Sequence, residues 1–190
     1  MDQTELFGLF QRTGAVKEGH FRLSSGRHSS RYFQMALLLQ YPDLAAKVAA
    51  ALGEKCAHLG ATVVAGPALG GIVLAQEVGR ALGTRAIFGE RQEGAMTLRR
   101  GFSVAPGERV LLVEDVVTTG GSVRELQKVI ETLGGTVVGI VSILDRSNGG
   151  AAFTVPFHPL LSLEVVSHSP GDCPLCREGI PETKPGSRPG

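Results

Sequence analysis

Two adjacent acids, Glu114 and Asp115, are followed after Val116-Val117 by Thr118-Thr119-Gly120-Gly121-Ser122. Glycines let a backbone come close to a ligand, and a helix that begins after such a turn leaves its first N–H groups unpaired. Together with the helix dipole those amides make an anion site, to which Thr118, Thr119 and Ser122 add hydroxyl donors. The neighbouring carboxylates would repel a phosphate, so they suit sugar hydroxyls or a hydrated Mg²⁺. A phosphate, a ribose and a metal within one turn describe a phosphoribosyl ligand. The turn lacks the Gly-Lys-Ser/Thr of a P-loop and the GxGxxG of a dinucleotide site. A plain strand-to-helix turn with one capping threonine and a solvated acidic pair is the simpler alternative, but capping needs only one hydroxyl and one acid.

Elements of matching pattern must hold these groups. Val110 to Val113 is a short apolar run without charge, as expected of a strand covered on both faces. After the turn, Leu126, Val129, Ile130 and Leu133 repeat at helical spacing until Gly134-Gly135 ends the helix. A second unit of the same form runs from Thr62-Val63-Val64-Ala65 through Gly66-Pro67-Ala68-Leu69-Gly70-Gly71 into a helix bearing Ile72, Ala75, Val78 and Leu82. Arg85–Phe88 and Val137–Leu144 read as further strands, Pro42 opens a helix, and Thr4 is placed to cap a first helix that ends at Gly14. Alternating strands and helices predict a doubly wound, mainly parallel α/β sheet flanked by helices, with its ligand at the switch point. Arg146, just past the strand ending at Leu144, stands where such ligands collect, and its guanidinium fork suits a planar carboxylate.

Composition narrows the class. A chain of 190 residues with 43% hydrophobic and 19% charged residues can fill the core of one globular domain. A formal net charge of +1 argues against a nucleic-acid partner. No apolar run reaches the length of a membrane span, and Met-Asp-Gln-Thr-Glu lacks the basic start of a secretory signal, so a cytoplasmic location is expected. Three cysteines give no disulfide framework.

The stretch Val110–Ser122 resembles the phosphoribosyl pyrophosphate (PRPP) signature of the type I phosphoribosyltransferase family. Gly19-His20-Phe21-Arg22-Leu23-Ser24-Ser25-Gly26-Arg27-His28-Ser29-Ser30-Arg31-Tyr32-Phe33 reads as two short strands around a Ser-Gly turn. It is similar to the amino-terminal hood of the orotate branch of that family. The resemblance covers about Leu6 to Cys176 and implies transfer of phosphoribosyl from PRPP to orotate, with Mg²⁺, in a homodimer of pyrimidine biosynthesis. It implies that Glu114 and Asp115 orient the ribose and that Val116 to Ser122 hold the 5′-phosphate. Ala68, Leu69 and Gly70 would then grip the pyrophosphate through backbone amides, and Arg146 and Thr118 would meet orotate. The polar stretch 89–102, bounded by glycines, would be the catalytic loop, a mobile hairpin or lid. It keeps Arg91 but has Gln92, Ala95 and Thr97 where the family shows lysines and histidine, which leaves Arg99 and Arg100 to supply charge. Lysines usual at Ser24 and Gly70 are also absent. A transferase for another base and a PRPP-sensing regulator without catalysis are the alternatives.

The expected domain runs over residues 1–176, with the hood drawn from about 19–35 and 155–170, and residues 177–190 read as a flexible tail. His20 and His28 read as solvated turn residues. Cys173-Pro174-Leu175-Cys176 is a lone CxxC with His158 and His168 upstream. A structural zinc takes four ligands, commonly from two such pairs, so two thiols is the simpler reading and a metal the alternative.

Overall fold

The computed structural model describes residues 1–23 and 25–185. The chain opens with α1 (Gln3–Thr13), the hairpin β1 (Val16–Arg22) and β2 (His28–Phe33), then α2 (Ala36–Leu39) and α3 (Pro42–Cys56). Next come β3 (Val63–Pro67), α4 (Gly70–Leu82), β4 (Arg85–Gln92) and β5 (Ala95–Leu98). It continues through β6 (Arg109–Val117), α5 (Gly121–Thr132), β7 (Thr136–Asp145), β8 (Phe157–Ser162) and α6 (Pro174–Arg177).

The main sheet has the order β5-β4-β3-β6-β7-β8, and β1 and β2 form a separate antiparallel hairpin. Within the main sheet β3, β4, β6, β7 and β8 are parallel, while β5 runs against β4. The chain crosses from β3 through α4 to β4 in one direction and from β6 through α5 to β7 in the other. The winding therefore reverses between β3 and β6, and a crevice opens outside their carboxyl ends.

Alternate residues of β6 serve opposite faces of the sheet. Leu111 and Val113 pack with Val48, Leu52, Leu74 and Val78 of α3 and α4. Val110 and Leu112 pack with Val123, Leu126 and Ile130 of α5. Both faces are covered, which is why the sequence of β6 is an unbroken apolar run. Each such side chain stabilises the fold by about 1.5–3 kcal/mol relative to exposure.

Four expectations change. Asp2, not Thr4, caps α1, accepting from the Glu5 N–H at 2.8 Å; its carboxylate also answers the positive end of the helix dipole. Leu133 lies outside the buried stripe of α5 at 45% exposure, because Gly134 turns left-handed and the helix stops at Thr132. The stretch 155–170 is divided rather than given to the hood. Leu160 and Leu161 are buried, so β8 joins the main sheet, and only the chain beyond it returns to the hood, where His168 bridges His28. Finally, the expected tail is bound as far as Thr183, whose N–H donates to His20 O while its carbonyl accepts from Arg22 N–H. A two-stranded hairpin has open backbone groups at its edge, and this segment satisfies some of them. Residues 186–190 lie outside the described residues, and no described helix is long and apolar enough to cross a membrane.

The start of α4 touches the end of β3 backbone to backbone. A Cβ on Gly66 would lie 2.4 Å from Gly71 O, and one on Gly71 would lie 3.0 Å from Gly66 Cα. Gly66→Ala should therefore cost about 1–3 kcal/mol of stability. Thermal unfolding would register this as a fall of about 2–4 °C per kcal/mol; an unchanged Tm would mean that the crossing opens freely.

Candidate active site at the carboxyl end of the sheet

A cleft of about 850 Å³ opens at the switch point. Its floor is Glu114 and the loop from Val116 into Val123, one wall is Arg146, Ser147 and Asn148 after β7, and the hood contributes Leu23, Ser25, Arg27, Tyr32 and Gln34. Arg91 and Glu125 stand on the opposite rim.

Glu114 is only 9% exposed. Burial first, and then the adjacent charge of Asp115, push its carboxyl up to about 9. Burial raises Asp115 as well, against hydrogen bonds from Glu114 and from the Val116 N–H at 2.8 Å. The pair titrates as one unit. Near neutral pH burial holds Glu114 in its protonated form. This oxygen-donor pair fits ribose hydroxyls or a hard divalent cation, either of which would relieve the buried charge.

The Asp115 carboxylate sits against the first residue of α4. A Cβ at Gly70 would come within 2.5 Å of Asp115 Oδ2, so the carboxylate occupies the room where the resemblance would put a lysine. Ala68 and Leu69 lie in the same turn, anchored by the Ala68 N–H to Gly89 O at 2.7 Å. Leu69 is 82% exposed. The three residues flank Asp115 rather than line the cleft.

Beyond β6, Thr118 and Thr119 are exposed and Gly120 has φ +73. A Cβ there would lie 2.7 Å from Phe153, so both backbone and packing require glycine. No side chain caps the start of α5. Gly121 N–H reaches Thr119 Oγ1 at 3.4 Å, and Arg124 donates to Thr119 O at 2.7 Å, which holds the loop shape. The uncapped amides of α5, the two threonines and Ser122 thus face the cleft as donors.

Arg146 is half-buried beside Tyr32, and burial lowers its guanidinium from the usual value. Its backbone N–H is fixed to Val117 O at 2.9 Å. Among the described residues no carboxylate pairs with the guanidinium. Arg91 also reaches the cleft, gripped by Glu125 at 2.8 Å and by Gly94 O at 2.7 Å. Arg99 and Arg100 are not brought there: Arg100 pairs with Glu90 at 2.9 Å and lies over Phe88, and Arg99 points to solvent. The loop expected as a lid is a hairpin of β4 and β5 turning at Glu93-Gly94, both with positive φ, the geometry of a two-residue turn matched to strand twist.

The cleft is also lined by Arg27 and Tyr32, which lie within the hood motif, and by Gln34, Ser147 and Asn148, which carry no motif of their own. For the last three the one signal in the sequence is adjacency to that motif or to Arg146. His20 and His28, expected in solvent, are each 4% exposed, because they pack on one another and on the C-terminal segment. Ser24 lies outside the described residues.

Residues 36–152 match the family model of the phosphoribosyl transferase domain. The chain is 56% identical over 188 residues to the orotate phosphoribosyltransferase of Pelotomaculum thermopropionicum, covering 99% of both chains. It is 54% identical to that of Heliobacterium modesticaldum, covering 99% of this chain and 100% of the other. The chain belongs to the orotate phosphoribosyltransferase family. The crystal structure of the orotate phosphoribosyltransferase from Aeropyrum pernix agrees with a TM-score of 0.69 at 28% identity, over 84% of this chain and 94% of that one. The two acids sit at the end of β6, beside this chain's own switch point between β3 and β6.

The raised Glu114 pKa sets the sign of a pH effect. The folded chain binds a proton that the unfolded chain releases at an ordinary carboxyl pKa, so this stability is complete below about 4.5 and is lost as pH rises toward about 9. Glu114→Gln removes the loss. Without ligands its Tm should match the parent near pH 4.5 and exceed it increasingly up to pH 8.5, since every tenfold difference in proton affinity between the folded and unfolded chain is worth about 1.4 kcal/mol. Parallel Tm curves across that window would overturn the assignment.

Proposed function

We propose that the chain transfers the 5-phosphoribosyl group of PRPP to orotate, releasing pyrophosphate and forming orotidine 5′-monophosphate in pyrimidine biosynthesis. The observation that carries this reading is one cleft holding three complementary groups: a buried acidic pair, an uncapped helix start, and an arginine with no carboxylate partner. The amides of Val116 to Ser122 take the 5′-phosphate, with hydroxyls from Thr118, Thr119 and Ser122. Glu114 and Asp115 orient the ribose hydroxyls. Arg146 grips the carboxylate of orotate beside Thr118 and Tyr32, and Ala68, Leu69 and Gly70, outside the cleft beside Asp115, offer backbone to a pyrophosphate that extends past that acid.

As pyrophosphate leaves the anomeric carbon, positive charge grows on the ribose and the orotate ring nitrogen attacks. Asp115, held by the Val116 N–H and by the close approach of Gly70, lies on the side where that charge grows. Little covalent work falls to the protein, so positioning and preorganised charge supply the rate. Enzymes of this kind generally use Mg²⁺ with PRPP; here it would neutralise pyrophosphate near Glu114 and Asp115. Arg91 adds positive charge on the same side, whereas Arg99 and Arg100 need a shift of the hairpin to help. We also infer a homodimer in the cytoplasm. An open groove of about 690 Å³ between β5 and α5 presents Met96, Leu98, Phe102 and Leu133 among polar neighbours, side chains that a second subunit would cover.

The test is loss of orotate absorbance with purified protein, PRPP and Mg²⁺. Conversion should stop when PRPP or Mg²⁺ is withheld. Arg146→Ala should raise the KM for orotate about 10–100-fold, the worth of a charged hydrogen bond, with the KM for PRPP little changed. Asp115→Asn should lower kcat more than it weakens PRPP binding. Arg91→Ala should slow turnover more than Arg100→Ala. No conversion of orotate with PRPP still bound would point to another base or to a sensor.

A further inference from the structure

Four side chains outside the cleft converge inside the hood. His20 and His28 lie on β1 and β2, and Cys173 and Cys176 flank and form the short α6. One ligand atom from each lies within 4.8 Å of every other. We propose that these four residues form a structural zinc site that fastens the C-terminal segment to the hood.

The distances suit a tetrahedral ion. Zinc bonds of about 2.0 Å to nitrogen and 2.3 Å to sulfur make tetrahedron edges of about 3.3–3.8 Å. Cys173 Sγ and Cys176 Sγ lie 3.5 and 3.6 Å from His20 Nε2, and Cys176 Sγ lies 3.2 Å from His28 Nδ1. The edge between the two rings, 2.8 Å, is shorter and opens with a small ring tilt.

The outer nitrogens give a stronger argument. His20 Nδ1 is 2.7 Å from Ile180 O, and His28 Nε2 is 2.7 Å from Glu182 Oε2. A carbonyl and a carboxylate only accept, so both outer nitrogens carry their protons. In neutral rings the inner nitrogens then present two lone pairs to one another, between rings that are themselves buried. A proton shared between the rings would satisfy the nitrogens but leave both sulfurs aimed at the same point to no purpose. A cation satisfies all four. Carbonyl and carboxylate partners behind the rings are also what ligating histidines carry.

Two thiolates and two imidazoles select zinc rather than a hard ion such as Mg²⁺. Its role follows from position. An isolated two-stranded hairpin is marginal in water, and this one bears Leu23 and Arg27 of the cleft wall. Arg27 is held to Ser167 Oγ at 2.9 Å, on the chain returning from β8. The metal joins the hairpin to residues 173–183 and keeps that wall in place.

Metal analysis of the reduced, desalted protein after incubation with Zn²⁺ should find about one zinc per chain. Co²⁺ in its place should give the visible bands of a tetrahedral site and a sulfur charge-transfer band. Cys176→Ser should lose the metal. Cys56→Ser should keep it, since Cys56 is buried against Leu52 O in α3. Retention of less than a tenth of an equivalent by the parent protein, or loss in Cys56→Ser alone, would overturn the site. Metal content is read without substrate, so the result is independent of orotate transfer.

Discussion

Two carboxyls held side by side at a buried strand end are the constraint on which the rest of this molecule turns. Burial and mutual repulsion keep Glu114 protonated to about pH 9, so the ligand-free fold carries a strain that a diol or a cation would relieve. The surroundings keep the pair in place rather than dispersing it. Gly70 gives Asp115 its room, and the Val116 amide fixes one of its oxygens. Stability is given up at the point where binding and rate are required, a common arrangement at functional sites.

The topology explains why one short loop can hold so much of the site. Reversal of winding between β3 and β6 leaves the ends of both strands uncovered by crossing helices. Two helix starts, of α4 and α5, then lie on either side of the acids. The hood closes the side that the sheet leaves open; Phe33 anchors one end of its hairpin in the main core, and the end of the chain ties down the other.

What the sequence disclosed was local. The β6 segment, the α5 start, the β3–α4 turn and the hairpin of the hood each occupy a run of residues whose period and turn chemistry can be read directly. Arg146 was readable because position after a strand implies position at the cleft. What escaped depends on contacts distant along the chain. His20 and Cys173 are 153 residues apart, so a lone CxxC looked incomplete. Arg99 and Arg100 show the same limit differently: composition reveals charge in a loop, but not that Glu90 and Phe88 turn Arg100 aside. For residues 155–170 the apolar content of β8, with Leu160 and Leu161 at its heart, outweighed the expected link to the hood.

The contact between Gly70 and Asp115 also bears on how such sites diverge. A side chain at position 70 would require the Asp115 carboxylate to leave its present place, so a change at one position is felt at the other. Glycine at 70 therefore lets the carboxylate rest against the start of α4, and a lysine grafted there would have to displace the Asp115 carboxylate from that place.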